Sequence, residues 1–455
     1  MKTPIFDFVS AYAESAAARF HMPGHKGQAS ALGVEARDIT EIAGADNLFA
    51  PDGIIAASEN HAAQLFGCAK TLFSTEGSSL CIRTMVALAV MNAPRNQRPV
   101  IIAPRNVHRS FISACILSDA EVRWVYSLRA GGIAACDVTA AQIDAELSAC
   151  PVKPAAVYVT SPDYYGNIAD IPAIAAVCAR YGVPFLVDNA HGAYLKFTKI
   201  NLHPMALGAD VCADSAHKTL PVLTGGAYLH IAEKASRTFS ENAKDVMALF
   251  ASTSPSYLTL QSLDLCNRAL AGDFPSKIRL CADKLAQLKS ALSEMGRINF
   301  VGSEPLKLTI VPQSLGLTGA QLGERLRTHG IEPELADDDA VVLMVGPYNS
   351  DDQVARFAEC IKKAEMEHEN RTVRDFSGQV ALQTSLPPRQ AMTLREAQFA
   401  PREQIAADQA LGRICASVVS CCTPAVPIVV GGEIIDEIAM KFFEKYSISV
   451  VNVVK

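Results

Sequence analysis

Short apolar runs that show no in/out alternation, separated by helix-like stretches, constrain this chain more than any other feature. Residues 100–103, 155–160 and 184–188 are such runs, each bounded by Pro, Gly or polar residues, and the stretch Ile171–Tyr181 between two of them has apolar positions that suit a helix. A strand without alternation is buried on both faces, and strands joined through helices run parallel. The region from about residue 60 to 270 therefore reads as an α/β unit with a mostly parallel sheet. Such sheets bind ligands at the carboxyl ends of their strands.

Beyond about residue 275 the pattern changes. Residues 306–311 and 340–345 read as strands, and 318–329 and 351–366 as helices, which makes a smaller α+β unit. Residues 367–402 are polar, contain Pro387-Pro388, and read as a connection with some helix. Residues 405–455 read as a helix, a Pro-rich turn (Thr423-Pro-Ala-Val-Pro427), another helix and a Val-rich tail. The division expected is an N-terminal arm over 1–30, a large domain over 31–275, a small α+β domain over 276–370 and a C-terminal domain over 371–455. With 455 residues and 49% hydrophobic content, the chain is too long for one ordinary domain.

Composition removes several function classes. The formal net charge is −6 and no Lys/Arg cluster stands out, which argues against a nucleic-acid partner. No apolar run approaches a membrane span. The first twenty residues carry Asp7 and Glu14 instead of a signal-peptide core, so a cytoplasmic protein is expected. The 13 cysteines include no C-x-x-C pair, which argues against structural zinc, and no metal is expected. The adjacent Cys421 and Cys422 read, like the rest, as reduced thiols serving as small hydrophobes.

Four motifs carry chemistry. Asp188 directly follows an apolar strand, in Asp188-Asn-Ala-His191. A carboxylate at that place is desolvated unless it meets a cation, such as a pyridinium nitrogen; a helix cap is the plainer alternative. Thirty residues on, Ser215-Ala-His-Lys218 follows another apolar run. A lysine so placed can form an imine, and desolvation lowers its pKa; a surface lysine is the alternative. Thr75-Glu-Gly-Ser-Ser79 precedes a helical run over 80–91. Small residues at a helix start make an anion site, although they also serve as an ordinary N-cap. Arg105-Asn-Val-His108 follows the strand at 100–103. Its imidazole can stack on a cofactor ring or lie solvated in a loop.

Together with His21-Met-Pro-Gly-His-Lys-Gly27 and Thr253-Ser-Pro-Ser-Tyr257, these motifs resemble the Orn/Lys/Arg decarboxylase family, in the short form without an N-terminal wing domain. The resemblance runs from about Phe20 to Lys455. It implies an aspartate-aminotransferase-like fold (fold type I), pyridoxal 5'-phosphate (PLP) as cofactor, and decarboxylation of arginine, lysine or ornithine to the corresponding amine. It also implies a homodimer or dimer-based assembly with shared sites. The roles it implies are Lys218 as Schiff-base lysine, Asp188 at the pyridine nitrogen, and His108 and Ala190 on the two ring faces. His191 is expected near the ring hydroxyl or the substrate carboxylate. Gly77, Ser78, Ser79, Ser215 and His217 are expected to hold the phosphate, Ser254 and Ser256 to add contacts across a dimer interface, and His25 and Lys26 to line the way in. For the distal cation of a basic substrate, Glu433 and Asp52 are the acidic candidates.

The chain also departs from the family pattern. Tyr194 stands where many members have a second histidine, Asn189 where an acid is frequent, and Gly225 where glutamine is common. Tyr-Pro-Pro-Gly-Ile-Pro becomes Cys422-Thr-Pro-Ala-Val-Pro427, and the Pro-Gly-Glu that follows becomes Gly431-Gly-Glu433. These changes keep open an aminotransferase, a lyase, or a decarboxylase of another amino acid, and, outside catalysis, a degenerate paralogue that regulates an active partner. An aminotransferase would need an arginine for the α-carboxylate; Arg371, Arg374, Arg389 and Arg395 are available.

Overall fold

The computed structural model describes the chain except residues 16, 31, 127–137, 369–387 and 423–424. Arg371 and Arg374, Pro387, and Thr423-Pro424 of the C-terminal motif lie outside the described residues, as do the side chains of Cys421 and Cys422.

A seven-stranded sheet organises the larger part. Its spatial order is Lys70–Ser74, Ala227–Ile231, Val211–Asp214, Phe185–Asp188, Ala156–Thr160, Val100–Pro104, Glu121–Val125. All ladders are parallel except those of Ala227–Ile231, which is antiparallel to both neighbours. Burial explains the missing alternation. Leu186 packs into one cluster with Phe111 and the helix Gly77–Met91 (Leu80, Met85), while Phe185 and Val187 pack into another with Ile174 and Val177 of the helix Ile171–Tyr181. Both faces are covered, so the strand is apolar without alternation from Phe185 to Val187. Because six strands run one way, their carboxyl ends share one edge, and the antiparallel strand enters at that same edge through Gly225-Gly226.

A four-stranded antiparallel sheet, Leu335–Ala336, Val341–Met344, Lys307–Val311, Asn299–Val301, packs on the helices Phe274–Ser293, Gly319–Thr328 and Asp351–His368 through Leu285, Leu292, Leu322 and Phe357. The helix expected after residue 405 is instead the strand Arg402–Ala406 and a single 3-10 turn, Ala407–Gln409. That strand pairs antiparallel with the Val-rich tail, Val450–Val454, so a partner more than forty residues away overrides the local pattern. The helix Glu437–Lys445 follows from its cap, the Asp436 carboxylate accepting from Ala439 N–H.

Candidate active site

The expected residues converge on the shared strand edge. Asp188 ends its strand and is 1% exposed. The Tyr158 hydroxyl donates to its Oδ2 at 2.9 Å, and Ala190 N–H donates to Oδ1 at 3.1 Å. Burial raises its carboxyl, opposed by Lys218 and the Tyr158 hydroxyl. It caps no helix; its oxygen closes the turn to Ala190. Lys218 sits in the short helix Ala216–Thr219 after the strand Val211–Asp214, with Nζ 3.0 Å from His191 Nε2. Desolvation pushes its amine below the ordinary lysine value, opposed by Asp188 and reinforced by Lys307. The surface-lysine alternative does not describe this position.

The start of the helix Gly77–Met91 faces the same edge. Gly77 has φ +70° and donates its N–H to Gly225 O at 2.7 Å. The Ser215 hydroxyl donates to Ser78 Oγ at 2.7 Å, and Ser110 to Ser79 Oγ at 2.8 Å. His217 is fixed by contacts of its Nδ1 and N–H with Gly226 O at 2.9 and 3.1 Å. A helix start leaves N–H groups without intrahelical acceptors, so this cradle offers backbone and hydroxyl donors to an anion.

His108 caps the helix Arg109–Leu117: its Nδ1 accepts from Ser110 N–H at 3.1 Å. It is half-buried rather than solvated, and burial, with Lys218, Arg109 and Arg83 nearby, brings its pKa down to about 4.

Asp214, at the end of the next strand, anchors the floor. Its Oδ2 accepts from His203 Nε2 at 2.9 Å and His230 Nε2 at 3.1 Å, and its Oδ1 from Asn189 Nδ2 at 2.7 Å. All four side chains are fully buried. Burial opposes the charge, but the two imidazoles hold the Asp214 carboxyl below the usual range. Asn189 must be a donor here; the acid frequent in the family would repel Asp214. His203, Asp214 and His230 have metal-ligand types, yet Met205 N–H donates to His203 Nδ1, so His203 Nε2 carries its proton and points it at the carboxylate.

Sequence reasoning missed Lys307 and Glu304. Lys307 opens the strand Lys307–Val311 of the small sheet, is 2% exposed, and pairs with Glu304 at 2.8 Å. Its Nζ also reaches His191 Nδ1 at 3.3 Å and Asp163 O at 3.3 Å. Tyr194, in place of a second histidine, donates its hydroxyl to Glu304 at 3.3 Å and accepts from Leu306 N–H at 2.9 Å. A lysine inside an apolar strand was the available signal; its partner lies 116 positions away.

Other expected residues are engaged elsewhere. Ser256 caps the helix Tyr257–Leu270 and Ser254 is exposed. Their loop stays beside the cradle, because Ser252 N–H donates to Glu76 at 2.7 Å. His25 contacts Asp38 at 3.1 Å and Lys26 donates to His21 O at 2.7 Å. Asp52 is exposed ahead of the helix Ile54–Phe66. Glu433 is 1% exposed and takes both arms of the Arg105 guanidinium, at 2.8 and 2.7 Å, so it is not free for a substrate. Arg395 donates to Ile116 O at 3.0 Å, and Arg389 is exposed.

Residues 3–311 match the family model for the Orn/Lys/Arg decarboxylase major domain. The chain belongs to the Orn/Lys/Arg decarboxylase family. Within it, the arginine decarboxylase of Bacillus subtilis (strain 168) is 31% identical over 460 residues, spanning 96% of this chain and 92% of that one. Among solved structures, lysine decarboxylase A from Pseudomonas aeruginosa superposes with a TM-score of 0.83 at 15% identity, covering 99% of this chain and 80% of that one. A serine palmitoyltransferase from Sphingomonas wittichii superposes at 0.55 and 16% identity, covering 80% and 84%. The architecture is therefore the fold-type-I α/β fold of these enzymes, as the family resemblance implies.

Proposed function

We propose that this member of the family uses PLP, held by Lys218, to decarboxylate a basic amino acid, with arginine the first substrate to test. The observation that carries the reading is the convergence of Lys218, Asp188 and the serine-lined helix start at one strand edge, in a chain whose curated relatives include arginine decarboxylases. The donor set fits the cofactor. A buried carboxylate suits a ring nitrogen, a desolvated lysine suits an aldehyde, and the hydroxyls of Ser78, Ser79 and Ser215, with Gly77 and His217, suit a phosphate. His108 and Ala190 are assigned to the ring faces. Bound there, PLP supplies an electron-accepting ring for the pair left at the α-carbon when CO2 departs.

The chain's own groups do the rest. Asp188 keeps a negative charge where a ring cation is favoured. Lys218, poised by desolvation, gives up and takes back protons near the α-carbon. The distal cation of the substrate needs an anion, and we assign Glu334. Its carboxylate is exposed, accepts the Tyr164 hydroxyl at 2.9 Å, and acts electrostatically on Lys218; the Tyr164 ring meets His191 edge-on at 5.2 Å. Ser254 and Ser256 are assigned to the site of a second copy in a homodimer. A cytoplasmic location suits the ten described cysteines, all of them free thiols, and no described helix is long and apolar enough to cross a membrane.

The test is CO2 and amine production from arginine, lysine and ornithine, with Lys218→Ala as control. Release from one substrate, lost in the control, is expected. Yellow, PLP-loaded protein that releases no CO2 from any of the three overturns the decarboxylase reading, and a keto-acid product moves it to transamination.

A further inference from the structure

His191 stands between two lysines: Lys218 Nζ lies 3.0 Å from its Nε2 and Lys307 Nζ 3.3 Å from its Nδ1. A neutral imidazole has one N–H and one lone pair, while an ammonium can only donate. Two ammonium groups would need lone pairs on both ring nitrogens, which a neutral imidazole does not have. Burial, with a lysine at each nitrogen and His108 and His217 nearby, disfavours a protonated ring. One of the two lysines must therefore be a free amine that accepts the imidazole proton.

The surroundings decide which. Lys307 is fully buried against the Glu304 carboxylate at 2.8 Å and also donates to Asp163 O. Lys218 makes no ion pair with any described carboxylate; Asp188, Glu304 and Glu334 act on it only at longer range, against Lys307. We propose that Lys307, held charged by Glu304, donates to His191 Nδ1 and so fixes the ring as its Nε2–H tautomer, which turns an N–H toward Lys218 and keeps that lysine a free amine. Lys307 is thus a positioning residue that acts through His191. It keeps Lys218 unprotonated at neutral pH, so that the amine can form an imine once its lone pair leaves the imidazole N–H, an inference that rests on the reading of Lys218 as the cofactor lysine.

Two readouts test it. Imidazole ¹⁵N NMR of the protein, with the His191 signals identified by their loss in His191→Gln, should show the Nε2–H tautomer. The second is the pH dependence of imine formation between the apoenzyme and PLP, followed by the appearance of the yellow imine. In Lys307→Met the midpoint should rise by about one pH unit, an approximately tenfold loss of rate at a fixed lower pH. Because that variant strands a buried Glu304, Glu304→Gln/Lys307→Met is measured beside it and should show the same shift. Lys307→Gln keeps a donor without the charge and should hold the tautomer and most of the midpoint. An Nδ1–H tautomer in the unmodified protein, or an unmoved midpoint in a folded Met variant, overturns the proposal. So does a Gln variant that shifts as far as Met, which would leave charge alone as the cause. If the unmodified protein forms no imine at Lys218, the cofactor assignment fails, and the NMR still decides the tautomer.

Discussion

Replacing Glu433 with glutamine separates a structural carboxylate from a substrate-binding one. Glu433 is 1% exposed and accepts three hydrogen bonds, two from Arg105 and one from Val430 N–H at 2.8 Å. Glu433→Gln keeps the volume and removes the charge, which leaves a guanidinium with 12% side-chain exposure uncompensated. Removing one partner of a buried pair costs about 3–5 kcal/mol. Arg105 keeps its contact with Ile428 O at 3.2 Å and its stacking over Trp124 at 4.9 Å, so the lower end, about 3 kcal/mol, is expected. That is about two decades in the equilibrium that docks the C-terminal segment on the large sheet. Trp124 is the sole tryptophan of the chain and lies under Arg105, so its emission reports this contact directly. Urea titrations followed by tryptophan fluorescence should place the transition of Glu433→Gln well below that of the unmodified protein. Arg105→Met/Glu433→Met should lose less than the sum of the two single changes. A Glu433→Gln protein with unchanged emission and a transition within about 0.5 kcal/mol would refute this reasoning.

Other outcomes follow from the same geometry. Glu334→Gln should raise KM for arginine about tenfold with kcat retained, as expected for losing one charged contact; an unchanged KM removes Glu334 from substrate binding. His108 has its pKa brought down to about 4 from 6.5, so the unfolded chain binds the extra proton first. Its contribution to stability is full above about pH 6.5 and is lost as pH falls toward about 4; thermal melts across that window should fall less in His108→Gln than in the unmodified protein. Gly225 has φ +95°, and a Cβ there would lie 2.7 Å from Thr75 O. Restoring the glutamine common in the family should therefore strain the turn and displace the carbonyl that accepts from Gly77 N–H, weakening PLP affinity in a fluorescence titration. Equal affinity would mean that the turn relaxes freely.

The sequence by itself determined what short-range pattern can encode. The continuous apolar runs at residues 100–103, 155–160 and 184–188 had to be strands covered on both faces, and the helix Ile171–Tyr181 was visible in its spacing. Asp188 and Lys218 could be singled out because each follows such a run, where a parallel sheet brings its strand ends together. Tertiary structure decided whatever depends on distant partners. The segment from Ile405 on read as the start of a helix, but Ile405 and Ala406 end the strand Arg402–Ala406 because Val450–Val454 offered it a ladder. Glu433 looked available until Arg105, 328 positions away, was found to hold it. Lys307 read as one lysine in a small-sheet strand until folding set it against His191. A lysine's charge state and an imidazole's tautomer are fixed by the groups within hydrogen-bond reach, and those neighbours are brought together only by the fold.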